Sequence, residues 1–150
     1  MKETPAMQVR NVLQEKSRKL VTIRPDETVR AAISLFVAHN IGSLPVVDEA
    51  GHLIGIFTER DVLFKVHADP ERFADRSMSE VMTPEPITCT PDDIVHDVMG
   101  TVSQYQIGQL PVVRDGKLVG VVSVGDLIRA LHDKVEMENR HLMSYIYGNG

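Results

Sequence analysis

Ile41-Gly42-Ser43-Leu44-Pro45-Val46-Val47 and Ile107-Gly108-Gln109-Leu110-Pro111-Val112-Val113 are two versions of one seven-residue pattern, 66 positions apart. The offset holds upstream, where Val21-Thr22-Ile23-Arg24-Pro25-Asp26 matches Ile87-Thr88-Cys89-Thr90-Pro91-Asp92. Downstream, one residue is lost between Asp48-Glu49-Ala50-Gly51 and Arg114-Asp115-Gly116. Gly55-Ile56-Phe57-Thr58-Glu59-Arg60-Asp61 then matches Gly120-Val121-Val122-Ser123-Val124-Gly125-Asp126 at an offset of 65. Matched blocks in one order, with a single slip in a turn, identify an internal duplication.

Each copy reads as strand, helix, strand, strand, helix. Val21–Ile23 is a β-branched run halted by Pro25. Thr28–Asn40 carries Val29, Ala32, Ile33 and Phe36 at helical spacing, with Gly42 as its expected stop. Leu44–Val47 and Leu53–Phe57 flank a hairpin turn at Asp48–Gly51. Thr58 then caps a helix over 58–66. The second copy predicts strand Ile87–Cys89, helix Asp93–Gln104, hairpin Leu110–Val122 and helix Ser123–His132. Val9–Leu13 and Ser79–Met82 are short helical lead-ins. A basic spacer with Lys16, Arg18 and Lys19 follows the first. The expected divisions are repeat one at 7–66, a loop-like linker at 67–77, repeat two at 78–132 and a helical tail at 133–150. At about 60 residues each half is marginal alone, so the halves are expected to share a core about a pseudo-two-fold axis.

Composition narrows the function classes. Of 150 residues 43% are hydrophobic, enough for a core without disulfides, and Cys89 is the sole cysteine. No apolar run is long enough for a bilayer, and the N-terminus lacks a signal-peptide core. These features predict a cytoplasmic protein without a membrane partner. A net charge of −5, 5% aromatic residues and no Trp argue against a nucleic-acid partner.

Thr58-x-x-Asp61 and Ser123-x-x-Asp126 are the motifs with chemical content. A helix N-terminus offers N–H groups and partial positive charge to a phosphate, and a cap hydroxyl faces the same space. The carboxylate three residues on accepts two hydrogen bonds, which suits a ribose cis-diol. The same tetrapeptide is also a capping box, in which both groups serve only the backbone. Both readings stand on the residues alone.

The order of elements, the hydrophobic-Gly-x-Leu-Pro-Val-Val block and the Gly-h-h-[ST]-x-x-Asp block resemble the CBS domain. Twice over, across residues 7–132, they resemble a CBS pair, or Bateman module. The resemblance implies an α+β fold of two β-α-β-β-α repeats packed as one pair, binding AMP, ADP, ATP, NAD or S-adenosylmethionine between the repeats. It implies a regulatory sensor acting on an unknown regulated protein, with AMP the first ligand and NAD or ATP alternatives. One implied cleft uses Ser123 and Asp126 with Val21, Gly42, Ser43 and Pro45. The other uses Thr58 and Asp61 with Ile87, Gly108, Gln109 and Pro111. Backbone groups of Val21 and Ile87 would face the adenine edge. Arg60 adds phosphate donors where its counterpart Gly125 has none, and Lys19 and Arg18 are candidate phosphate neutralisers. The alternative is an interaction module with empty clefts, its two motifs capping helices.

No metal is expected, because the six histidines form no ligand-spaced pair. Cys89 reads as a small buried hydrophobe. No nucleophile–base constellation emerges, so no catalytic residue is named and no enzyme is expected. Val135, Met137, Leu142, Met143, Tyr145 and Ile146 suit an amphipathic tail helix against the module or a dimer mate. A homodimer is the expected assembly.

Overall fold

The five residues Ser43–Val47 form a strand, β1, buried along its whole length. The computed structural model describes residues 6–15 and 19–146. Among the described residues there are eight helical segments, three of them short, and five strands, with several corrections to the pattern above. Helix α1 spans Val9–Glu15 and α2 spans Val29–His39. β1 pairs antiparallel with β2 (Leu53–Thr58), placing Ser43 opposite Thr58 and Leu44 opposite Phe57. Helix α3 (Glu59–Lys65) follows, then 3₁₀ turns at Val66–Ala68 and Phe73–Asp75, α4 (Met78–Val81) and β3 (Thr83–Pro84). The second half holds α5 (Val95–Tyr105), β4 (Gln109–Arg114), β5 (Lys117–Ser123) and α6 (Val124–Ile146). The expected mixed helix-and-strand fold is present, with sheets β1-β2-β3 and β4-β5.

The predicted strands Val21–Ile23 and Ile87–Cys89 shrink to one bridging residue each, Ile23 beside Val46 and Cys89 beside Val112, both parallel. Ile23 N–H donates to the Pro45 carbonyl (3.1 Å) and its own carbonyl accepts from Val47 N–H (3.0 Å). Extending the ladder backward needs an N–H at position 45, and forward an N–H at position 25. Both are prolines, which have none. Cys89 repeats the arrangement with Pro111 and Val113, blocked by Pro111 and Pro91. The cysteine is buried, as its apolar reading expected.

Gly42 is not the stop of α2. That helix ends on Asn40 in the left-handed region (φ 51°), whose N–H returns to the Phe36 carbonyl, and α5 ends likewise on Gln106 (φ 53°). The hairpin turns match expectation more closely. Asp115 and Gly116 both have positive φ, as a two-residue type I′ turn requires. At the longer turn the Asp48 carboxylate accepts from the N–H groups of Ala50 and His52, both at 2.9 Å. The segment expected as a loop at 67–77 is more ordered than its polarity suggested, because Phe73 is 3% exposed and joins the core. β3 was not anticipated. It pairs with Gly55 and Ile56, and Gly55 leaves the space that Met82 fills.

Two compact units make up the described chain, and they cut across the repeats. The sheet unit holds 19–91 and 111–121; the helical unit holds 6–15, 92–110 and 122–146. In the sheet unit, Ile23, Val29, Ala32, Phe36, Leu44, Val46 and Phe57 form a core with Phe73, Met78 and Val81. Phe36 and Phe57 stack within it, centroids 6.0 Å apart. In the helical unit α6 packs on α5 and α1, with Val9, Val95, Val98, Val102 and Leu127 buried. Each lead-in joins the opposite repeat: Met7 and Val9 exchange backbone bonds with Val95 and Asp93, and Arg76 and Met78 with Val29 and Glu27. The tail is no separate element, since α6 runs unbroken from 124 to 146. Among the described residues no helix is long and apolar enough to cross a membrane.

Candidate functional site

Both Ser/Thr-x-x-Asp motifs sit where a strand turns directly into a helix. Thr58 ends β2 in extended backbone (φ −122°, ψ 161°) and caps α3. Its Oγ1 accepts from Asp61 N–H at 3.1 Å, while Asp61 Oδ2 accepts from Thr58 N–H at 2.9 Å. Ser123 and Asp126 repeat this at the start of α6, with bonds of 3.0 and 2.9 Å. The capping reading is therefore physically realised at both motifs.

The caps leave chemistry over. Each hydroxyl uses its oxygen as an acceptor and keeps its proton to donate. Each carboxylate spends Oδ2 on the cap. Oδ1 of Asp61 lies 3.9 Å from Lys65 Nζ, and Oδ1 of Asp126 lies 3.3 Å from Arg129 Nη1. A carboxylate has about four acceptor positions, so further donors can be taken. Asp61 and Asp126 are 21% and 14% exposed, which keeps them reachable and only partly solvated. The Lys65 ammonium also donates to the Val81 carbonyl, which fixes it beside Asp61. Lys65 and Arg129 were missed from the sequence, though i+4 and i+3 spacing from each aspartate was a usable signal.

A second tie was not foreseeable. Glu59 N–H donates to the Gly42 carbonyl at 3.0 Å, and Val124 N–H to the Gly108 carbonyl at 2.9 Å. The glycine of each Gly-x-Leu-Pro block thus holds the first amide of the helix in its own repeat. Ser43 is 6% exposed and pairs with Thr58 across the ladder, and Pro45 and Pro111 are buried. Val21 and Gln109 are half-buried; Ile87, Gly108 and Lys19 are exposed. Arg18 lies outside the described residues. Val21, Gly42, Ser43, Pro45, Thr58, Arg60, Asp61, Ile87 and Pro111 share the sheet unit, and Gly108, Gln109, Ser123 and Asp126 the helical unit.

The proline block also reaches the site. Because positions 45 and 111 have no N–H, the Val21 and Ile87 carbonyls lose the ladder donor they would otherwise have. Among the described residues no backbone bond engages either carbonyl. Arg60 is exposed, its guanidinium carbon 5.4 Å from the Phe64 ring centroid, whereas Gly125 brings no charge. One His/Asp/Glu group exists among the described residues: His132, Asp133 and Glu136, all exposed on α6, with ligating atoms within 4.8 Å of one another.

Comparison with known proteins adds the following. The CBS domain family profile matches twice, over residues 9–68 and 78–133. The CBS domain-containing protein YhcV of Bacillus subtilis is 37% identical over 109 residues, which is 73% of this chain and 76% of that protein. The crystal structure of the CBS-domain protein ATU1752 from Agrobacterium tumefaciens is similar at a TM-score of 0.77 and 31% identity, covering 83% of this chain and 98% of that one. The CBS domain pair of protein MJ0100, crystallised with 5′-methylthioadenosine and S-adenosyl-L-methionine, is similar at a TM-score of 0.74 and 32% identity. That match covers 87% of this chain and 99% of its counterpart.

Proposed function

The chain belongs to the CBS-domain family, as two tandem copies, and from that premise we propose that it is a regulatory module for an adenine nucleotide. The observation that carries this reading is the duplicated pair of half-buried aspartates, each oriented by a two-point cap with acceptor capacity to spare. Asp61 and Asp126 hold the ribose hydroxyls, while Thr58 and Ser123 donate to phosphate. Val21 and Ile87 supply backbone acceptors for the adenine amino group, and the Gly42–Pro45 and Gly108–Pro111 segments form apolar walls for the base. Arg60 and Lys19 add cationic donors for a phosphate. The adenosine ligands of the MJ0100 pair support the ligand class. AMP is our first choice, with NAD and ATP as alternatives. The module works in the cytoplasm as a homodimer and relays occupancy to a regulated protein, which requires a ligand that binds one conformation better than another.

A second reading has its own observation. Both capping boxes are complete, so the motifs already have a structural task, and the protein could serve as an interaction module without a ligand. Thermal unfolding with AMP, ADP, ATP, NAD and S-adenosylmethionine decides between them. A ligand at one hundred times its dissociation constant adds about 2.7 kcal/mol. No shift with any of the five rejects the nucleotide reading, and turnover of ATP or NAD in the same samples restores an enzyme.

A further inference from the structure

Within α6 only Leu127 and Ala130 are buried, both in its first two turns. The helix then continues for about four more turns, and five of its apolar residues share one face, with Met137 and Met143 lying off it. Ile128, Leu131, Val135, Leu142 and Ile146 fall within an arc of about 60° at 100° per residue. Ile128, Val135, Leu142 and Ile146 are all more than half exposed. With Glu138 and Tyr145, six positions (128, 131, 135, 138, 142, 145) follow the alternating 3–4 spacing of a helix-to-helix seam.

We propose that this stripe is the contact surface for α6 of a second copy, packed antiparallel across a two-fold axis. It rests on the self-association proposed above and assigns that association a surface. Glu138 decides the orientation, and its charge match with Lys134 favours a second copy as the occupant. In a parallel pair it would meet its own copy in the middle of the seam, two carboxylates face to face. In the antiparallel pair all six positions find partners in one register. Ile128 meets the partner's Tyr145, Leu131 meets the partner's Leu142, and Val135 lies beside the partner's Glu138. Lys134, next to Val135, then offers an ammonium to the partner's Glu138, and two-fold symmetry makes that pair twice. A bilayer is a poorer fit. The face opposite the stripe carries Asp133 and Glu136 with Arg129 and Arg140, a balanced set and not the Lys/Arg-rich face of a membrane-surface helix.

Sedimentation velocity of the full chain from about 1 to about 100 μM, a range that spans ordinary dimer affinities, is the test. The wild type should sediment as a dimer. Leu142→Glu, on an exposed position, should leave circular dichroism unchanged and weaken the dimer at least about a hundredfold, because it sets a charge against the partner's Leu131. Orientation is read by cross-linking. The double variant Leu131→Cys/Leu142→Cys should oxidise to a covalent dimer, whereas Leu142→Cys alone should not cross-link to itself. A monomeric wild type overturns both self-association and its surface, whether or not it co-sediments with phosphatidylglycerol vesicles. A dimer indifferent to Leu142→Glu overturns the surface alone, and self-cross-linking of Leu142→Cys overturns the antiparallel orientation.

Discussion

Replacing Asp61 separates its structural task from its proposed binding task, provided two substitutions are compared in ligand-free protein. Asp61→Ala removes the acceptor for Thr58 N–H at 2.9 Å, which is a charge-assisted bond worth about 1.5 kcal/mol. It also removes a negative charge from the first turn of α3, worth about 0.3–1 kcal/mol. The Lys65 pair adds little, because 3.9 Å is at the edge of contact and the ammonium side is 39% exposed. The total is about 2 kcal/mol, or a fall in Tm of about 4–8 °C for a chain of this length. Asp61→Asn keeps an oxygen for the cap and loses only the charge, so it should cost about 1 kcal/mol or less. Urea denaturation monitored by circular dichroism measures both. A cost below about 0.5 kcal/mol for Asp61→Ala, or equal costs for the two variants, would refute the cap as derived from these bonds. Adding AMP then reads the second task. On the nucleotide reading, Asp61→Asn retains stability yet binds AMP more weakly, since a neutral amide is a poorer acceptor for the ribose diol. Unchanged AMP binding in Asp61→Asn would confine this aspartate to capping.

The remaining expectations concern the frame around the motifs. Gly55→Ala should destabilise by about 1–3 kcal/mol, since a Cβ there would sit 2.8 Å from Met82 Cγ and 3.0 Å from the Thr83 carbonyl. Combined with Met82→Ala, the loss measured by urea denaturation should be smaller than the sum of the two single losses. Asn40→Val should cost about 1–2 kcal/mol and Asn40→Gly little or nothing, because φ is 51° and a β-branched residue resists the left-handed region. Comparing the two Tm values checks this. The Asp48 carboxyl is held below its ordinary range, chiefly by the His52 N–H and further by the Ala50 N–H. A depressed acid stabilises the fold above the unfolded value, near pH 4, and loses that contribution as pH falls through the folded value. The wild type should therefore lose stability below about pH 4 more steeply than Asp48→Asn in acid-titrated unfolding.

The parts of the fold legible in sequence were those carried by local chemistry. Thr28, Thr58 and Ser123 announce helix starts because a hydroxyl before an apolar-periodic run satisfies orphan N–H groups. Asp115-Gly116 announces a turn because both residues tolerate positive φ. Helix α2 was placed within a residue by Val29, Ala32 and Phe36, all of which are buried. The misreadings have one cause. Val21–Ile23 looks like a strand, but its length depends on whether positions 45 and 25 carry an N–H, and only the pairing partner reveals that. Gly42 looks like a helix stop, yet Asn40 performs that task and the Gly42 carbonyl serves α3 instead.

What the sequence by itself determined is the duplication, and with it the family and the twin Ser/Thr-x-x-Asp turns, because matched blocks and capping chemistry are properties of neighbouring residues. The tertiary structure alone decided which distant groups these residues meet. It set Gly42 and Gly108 against the first helix amides, stopped the Ile23 and Cys89 bridges at single residues, and docked each lead-in on the opposite repeat. It also left the α6 stripe uncovered. Hydrophobic spacing states that a helix has an apolar face, and only the packing of the other elements states whether that face is already spent.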